Sequence, residues 1–210
     1  MVAKKLGTRT LGKVVKSNSH CDYVVQLDDD MSTSCPPQPG EFGFGSFVKL
    51  ANGDRPSIVG IIYNSQLVNP TFLNNGPRLS SEPDPVFAPD LIHETRTLLG
   101  IVLIGILEAD PSQTEIYGVQ SIPRDVVPVN AAVECMDDHE IYRFHLNVEG
   151  KPQFRYYSLL LRYGGSFAAH LTEQVLQELI DFNLFPPQDQ RALEMLCKEL
   201  TWRNTMGTLR

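Results

Sequence analysis

The stretch LLGIVLIGILE, residues 98–108, decides the fold of this chain. It is apolar on both faces and rich in β-branched residues, a pattern typical of a strand that is buried on both sides. Gly100 and Gly105 leave room for a close backbone approach or a bend, as in a strand of a closed barrel. We therefore expect residues 98–108 to form the central strand of the protein.

Shorter strands and turns surround this central strand. Glycine, proline, asparagine and aspartate separate the apolar runs, which is typical of a small antiparallel barrel. The Asn52-Gly53 pair supplies the positive φ angles of a tight turn and predicts a hairpin. Residues 67–90 have no periodicity and predict a long loop. The sequence thus predicts a closed antiparallel β-barrel over residues 1–136, whose other strands are Leu11–Lys16, Asp22–Leu27, Ser46–Leu50, Ser57–Tyr63, Gly118–Ile122 and Pro128–Cys135.

Residues 137–210 are predicted to combine a second β-hairpin with two helices. Apolar and polar side chains alternate from Tyr142 to Val148, which indicates a strand. The turn Glu149–Pro152 leads into a second strand, Phe154–Leu161, although the Tyr156–Tyr163 part also fits a helix.

The last third of the chain changes to helical periodicity at Ser166, which is a suitable N-cap. Asn183–Pro187 is a stop signal, and Pro187 suits the first turn of a second helix. The chain should therefore end in an αα-hairpin. The predicted fold class is mainly β and α+β overall: a closed antiparallel barrel, a β-hairpin and a C-terminal αα-hairpin.

Composition and charge narrow the classes of function. The chain has 210 residues, 42% of them hydrophobic, so it is globular, and no apolar run reaches the roughly 18 residues of a membrane span. The N-terminus lacks the apolar run of a secretory signal, so we expect a cytoplasmic protein. The net charge is -7, yet residues 1–20 carry +5 and residues 21–150 carry -13. An acidic body excludes a broad nucleic-acid footprint, but the N-terminal arm could still contact phosphate through Lys4, Lys5, Arg9, Lys13 and Lys16.

No motif predicts a catalytic, cofactor-binding or metal-binding residue. The P-loop-like segment Gly7–Lys13 is followed by Val14 instead of Ser or Thr, and the next residues predict a strand instead of a helix. We interpret it as a lead-in where Gly12 relieves crowding. The densest cluster of acid–base groups lies between Asp137 and His145, and we interpret it as a solvated polar turn.

The glycine-rich segment Gly40–Gly45 predicts a turn that leads into the Ser46 strand. Its two aromatic residues, Phe42 and Phe44, are candidates for a contact surface. With Leu67 and Phe72 of the long loop they make up the predicted partner-binding set.

The barrel strands resemble a known family. The runs LGKVV (11–15), DYVV (22–25), GSFV (45–48), IVGII (58–62), LGIVLIG (99–105) and PVNAAV (128–133) are similar to the HAS-barrel, the N-terminal barrel of HerA-type DNA translocases and of rotary ATP synthase catalytic-ring subunits. This resemblance implies ring assembly or the docking of a protein partner such as an ATPase or a nuclease. The resemblance would place a P-loop after the strand near Leu161, but residues 162–167 (RYGGSF) stand there without the required lysine and Ser or Thr, so we expect no ATPase activity.

These observations favour a non-catalytic interaction or assembly module without a cofactor. Its helical hairpin would either cover one end of the barrel or mediate self-association. One alternative is a nucleic-acid-binding accessory factor in DNA processing or repair that uses the basic N-terminal arm. A second alternative is an enzyme whose unrecognised site lies near the Asp137–His145 cluster.

Overall fold

The computed structural model describes residues 9–30, 32–68, 96–109, 116–163 and 167–207. Its strands are β1 (Thr10–Ser19), β2 (Asp22–Leu27), β3 (Phe47–Leu50), β4 (Ser57–Val68), β5 (Arg96–Ala109), β6 (Ile116–Val119) and β7 (Ala132–Cys135). Its helices are α1 (Asp138–Phe144), α2 (Tyr157–Tyr163), α3 (Ala168–Phe182) and α4 (Pro187–Gly207). Of the predicted 67–90 loop, Leu67 and Val68 belong to β4 and the rest lies outside the described residues.

Six antiparallel strands close into a barrel in the order β2-β1-β7-β3-β4-β5, and β5 pairs back to β2. One edge of β5 pairs with β4. The other edge pairs with β2 at residues 98–102 and with β6 at residues 106–109. Strand β5 therefore contacts three other strands. The closed antiparallel barrel and its central strand confirm the prediction.

The two faces of β5 are buried for different reasons. Leu99, Ile101 and Leu103 point into the barrel and belong to its interior core. Val102 and Ile104 point outward and pack in a second core between the barrel and the helices. A layer of helices on the outer face therefore explains why residues 98–108 are apolar throughout.

Glycines are needed where the barrel strands approach one another closely. A Cβ on Gly12 would lie 2.0 Å from the carbonyl oxygen of Gln26, which confirms that Gly12 relieves crowding at the start of β1. A Cβ on Gly105 would lie 2.4 Å from the carbonyl oxygen of Val119. At the β3–β4 hairpin Gly53 has a φ of +64°, as the Asn52-Gly53 pair predicted.

The predicted second β-hairpin is wrong, because most of residues 137–163 is helical. Asp137 caps α1 in a capping box with Glu140, so the helix starts with two satisfied backbone donors. The Tyr156–Tyr163 segment forms α2, which is the alternative that its sequence also fitted. Only the predicted turn remains: Leu146 and Pro152 form an isolated bridge, and Gly150 has a φ of +73°.

Helices α3 and α4 form the predicted αα-hairpin. The stripe Leu171, Val175 and Leu179 packs on the outside of the barrel. Asn183 ends α3 in the left-handed conformation, with a φ of 49°. Ser166 lies outside the described residues, and Phe167 holds the N-cap position without a side-chain cap hydrogen bond, contrary to the prediction. Within the described ranges no helix is long and apolar enough to cross a membrane.

Candidate functional site

Within the described residues, the second half of β4 has a strand partner on one side only. Strand β3 pairs with β4 from Ile58 to Ile61, and the backbone N–H groups of Gly45 and Ile62 extend this pairing by one step. The chain then turns away at Gly45, whose φ is +96°. Residues 63–68 of β4 pair with β5 on one side, and on the other side they have no backbone partner within the described part of the chain. Unpaired backbone groups of this kind are a template for another strand.

An aromatic groove lies beside this open edge and has a volume of about 420 Å³. The 41–46 loop, strand β4 and the start of α3 form its walls. Phe44 is 39% exposed and Phe167 is 61% exposed, so both rings present apolar surface in the groove. The residues that line the groove are Phe42, Phe44, Ile62, Tyr63, Asn64, Ser65, Phe167 and His170.

A buried ion pair fixes the loop that carries Phe42 and Phe44. Arg9 donates to both carboxylate oxygens of Glu41 at 2.7 Å, and Glu41 is almost fully buried. The same carboxylate accepts the backbone N–H of Gln38, and the Cys135 thiol donates to the Glu41 carbonyl oxygen. The groove wall is therefore held in place before any ligand binds, which lowers the entropy cost of binding.

The groove is built for apolar contact. Tyr63 donates its hydroxyl to Asp22 at 2.8 Å, and burial together with that carboxylate raises the pKa of Tyr63 to about 12. Its phenol therefore stays protonated at neutral pH. Asn64 and Ser65 are exposed and offer hydrogen-bonding groups at the rim. Such an arrangement can take up an apolar side chain and the polar backbone that follows it.

The structure brings two of the four predicted partner-binding residues together. Phe42 and Phe44 lie in the groove. Leu67 is 77% exposed and lies two residues beyond Ser65 on the same strand. Phe72 lies outside the described residues.

Sequence reasoning missed six of the eight described groove residues, which are Ile62, Tyr63, Asn64 and Ser65 of β4 and Phe167 and His170 at the start of α3. None of them belongs to a local motif, so no signal in the sequence set them apart. The position of Phe167 and His170 depends on how α3 packs on the barrel. Helix α3 comes close to Gly45 there, since a Cβ on Gly45 would lie 3.1 Å from the Gln174 side chain.

The predicted basic arm is only partly in view. Lys4 and Lys5 lie outside the described residues. Arg9 is occupied by Glu41 and by the carbonyl oxygens of Cys35 and Pro36. Lys13 and Lys16 are exposed on β1, which has a register shift between Val14 and Lys16. Lys13 pairs with Gln26 of β2, and Lys16 pairs with Val24. Both partners face outward, and paired residues share a face of the sheet, so both lysines lie on the outer face of the barrel.

The acid–base cluster between Asp137 and His145 separates into structural roles. Asp137 and Glu140 form the capping box of α1, and Glu140 also pairs with Lys49 of β3. His145 is the C-cap residue of that helix and is buried. No group of three possible metal ligands occurs in the part of the chain that the structure describes. The solvated polar turn predicted for this cluster is therefore a helix start and a buried histidine.

His145 forms a closed hydrogen-bonded pair with Tyr156. Its Nδ1–H donates to the Ile141 carbonyl oxygen at 2.7 Å, so Nε2 accepts from the Tyr156 hydroxyl, also at 2.7 Å. Burial lowers the pKa of His145 to about 4 and raises the pKa of Tyr156. The imidazole is therefore neutral, and both of its nitrogens are satisfied inside the protein. A cavity of about 290 Å³ adjoins the pair, and Phe154, Phe185 and Leu193 are among its lining residues.

Comparison with known protein families assigns the chain to a family. The sequence model of a family described as "Domain of unknown function (DUF8166)" matches residues 3–210. The chain belongs to this family. The match runs through both the barrel and the helices, so DUF8166 covers the whole architecture described above. A search of curated proteins finds no match.

Proposed function

We propose that this DUF8166 protein is a non-catalytic interaction module that binds an extended apolar segment of a partner protein. One observation carries the proposal: an aromatic groove lies against the open edge of a barrel strand. The backbone of residues 63–68 would pair with the bound segment, and the groove would take one of its apolar side chains. Strand addition of this kind obtains affinity from main-chain hydrogen bonds and specificity from pockets along the edge.

The geometry supports a protein ligand over a nucleic acid. Among the described residues that line the groove there is no lysine or arginine, and the body of the chain is acidic. Nucleic-acid affinity depends on the neutralisation of several phosphates. Within the described residues of the basic arm, only Lys13 and Lys16 offer unoccupied charge, and neither of them lines the groove.

The resemblance to the HAS-barrel adds the class of partner. In that family the barrel serves ring assembly and partner docking, so we propose an ATPase or a nuclease of a DNA-processing machine as the protein that supplies the extended segment. The six-strand closed barrel is compatible with this resemblance. A cytoplasmic location is part of the proposal.

Peptide selection tests the binding mode directly. Random peptides displayed on phage are selected on the purified protein, and the selected sequences are synthesised and titrated by fluorescence polarisation. We expect extended peptides with an apolar anchor residue, and an affinity loss of at least tenfold for the Phe44→Ser variant because a buried anchor contributes about 1.4 kcal/mol or more.

Phe182→Ser is the matched control, because Phe182 is also a phenylalanine with 39% exposure and lies outside the groove. Its affinity for the peptides should equal that of the wild type. Peptides that bind Phe44→Ser as tightly as the wild type would contradict the groove as the docking site. A salt-sensitive complex with duplex DNA that Lys13→Glu weakens would favour the nucleic-acid alternative instead.

A further inference from the structure

The cavity beside the buried pair of His145 and Tyr156 is separate from the aromatic groove. The groove includes Phe167 at the start of α3, whereas the cavity includes Phe185, which follows the end of that helix. Because α3 has 15 residues, its two ends are about 22 Å apart. The described linings of the two sites share no residue, so an inference about the cavity does not rest on the proposed function.

The walls of this cavity are mostly apolar. Phe154 and Phe185 contribute aromatic rings, and Leu193 and Leu196 contribute aliphatic side chains from one face of α4. His145 also lines the cavity, but both of its ring nitrogens are already bonded inside the protein. The volume of about 290 Å³ is near the lower limit for ligand pockets, which is about 300 Å³. The cavity therefore suits the apolar body of a small molecule.

Hydrogen bonds hold one wall of the cavity in place. The side-chain amide of Gln153 donates to the carbonyl oxygens of Gly118 and Leu146. Its backbone carbonyl oxygen accepts from the side chain of Gln120 at 3.1 Å. Phe154, the next residue, is therefore attached to a fixed backbone. A wall that is formed before a ligand arrives lowers the entropy cost of binding.

The cavity has one charged group among its described lining residues, the carboxylate of Asp189. Asp189 is half-buried, and its side chain has no ion pair or hydrogen bond with another described residue. It lies in the first turn of α4, where the helix dipole favours an acidic side chain. That dipole is equivalent to only about half a positive charge, so the region around the carboxylate stays negative. A cation beside apolar walls would be attracted to it with little screening by water.

We propose that this cavity binds a small apolar molecule that carries one ammonium group. The ammonium would donate a charge-assisted hydrogen bond to the carboxylate of Asp189. The apolar body would lie between the rings of Phe154 and Phe185 and the side chains of Leu193 and Leu196. An anionic molecule of the same shape would be repelled by Asp189, and a neutral one would lack the ionic contact.

Three probes with the same phenethyl body but different charge test the proposal. Phenethylamine, phenethyl alcohol and hydrocinnamate are titrated at millimolar concentrations into the isotope-labelled full-length protein, and NMR follows the backbone amides. Phenethylamine should shift the amide signals of Phe154 and Leu193 and bind about fivefold more tightly than the alcohol, or better. Hydrocinnamate should bind most weakly. Equal affinity of the amine and the alcohol, or no shift at these amides, would overturn the proposal.

Three variants locate the binding. Asp189→Asn should lower the affinity for phenethylamine to that for the alcohol and leave the alcohol unaffected. Asp138→Asn is the matched control, because Asp138 is also a first-turn aspartate, lies on α1 and does not line the cavity. Ala192→Trp, at an exposed position of the cavity rim, should fill the cavity and abolish the binding of both probes.

Circular dichroism verifies that each variant is folded. An Asp189→Asn variant that still prefers the amine as the wild type does would contradict the role of the carboxylate. Undiminished binding to a folded Ala192→Trp variant would show that the probes bind elsewhere, and the proposal would fail.

Discussion

Two aromatic sites on this protein differ in what surrounds them. Phe44 and Phe167 are both partly exposed, and they lie beside a stretch of β4 that has no second strand partner within the described residues. Around His145 the rings of Phe47, Phe144 and Phe185 contact the imidazole edge to face at 5.5–5.8 Å, and its two nitrogens are bonded. The comparison teaches that an aromatic or titratable side chain points to a functional site only where the fold leaves it exposed or without a hydrogen-bond partner.

If the His145 region is structural, its close packing should not tolerate added atoms. A Cβ on Gly118 of β6 would lie 1.9 Å from the Phe144 carbonyl oxygen, which is backbone and cannot move aside. We expect Gly118→Ala to lower the free energy of unfolding by about 3 kcal/mol, the upper end of the usual cost of overpacking. Urea denaturation measures this value, and Gly40→Ala is the control, since a Cβ there has no neighbour within 4 Å. Equal stability of the two variants would show that this segment is loosely packed.

Buried His145 should make stability depend on pH. Its folded pKa of about 4 is below the ordinary value of 6.5, so the unfolded state binds a proton first as the pH falls. Stability is therefore full above pH 6.5 and decreases by about 3 kcal/mol as the pH falls from 6.5 to 4. Denaturation curves of His145→Gln at the same pH values isolate this contribution, because that variant should lack the decrease. The same slope in both proteins would show that other groups cause it.

Removal of the Tyr156 hydroxyl should leave the Nε2 atom of His145 without a donor. We expect Tyr156→Phe to cost about 2 kcal/mol of unfolding free energy, since an unsatisfied buried acceptor carries its full desolvation penalty. Tyr63→Phe is a useful comparison because that hydroxyl is only half-buried and its partner Asp22 can find water. Thermal unfolding should separate the two variants, with Tyr156→Phe the less stable.

A substitution in the groove, unlike one near His145, should weaken peptide binding and leave the stability of the protein nearly unchanged. We expect Phe167→Ser to change the free energy of unfolding by about 0.5 kcal/mol or less, because surface substitutions without buried contacts have small effects. The peptide affinity described above should nevertheless fall. A loss of more than about 2 kcal/mol would mean that Phe167 is part of the core, and the contrast between the two sites would fail.

Much of the barrel could be predicted from local sequence. Strand β2 has the predicted bounds, Asp22–Leu27, and the Asn52-Gly53 hairpin and the Asn183 helix end also agree. In each case the signal is short-range: alternation of period two, a positive φ, or a residue that stops a helix. The predicted hairpin at 142–161 failed because α1 is only seven residues long, too short to have a clear period. Its capping-box residues, Asp137 and Glu140, carried the missed signal.

The sequence by itself determined the barrel strands, the Asn52-Gly53 turn and the αα-hairpin, and it singled out Phe42 and Phe44 as aromatic residues of a loop, because these features follow from neighbours along the chain. Only the tertiary structure decided where those rings end up. The groove joins residues near 42, 63 and 167. Among the described residues, β4 has no partner beyond Ile62 on this side, because the chain bends at Gly45 before it enters β3. The burial of His145 also depends on residues that are distant in the sequence. Its ring contacts Phe47, which lies far before it in the chain, and Phe185, which lies far after it. Such contacts have no signature at short sequence separation.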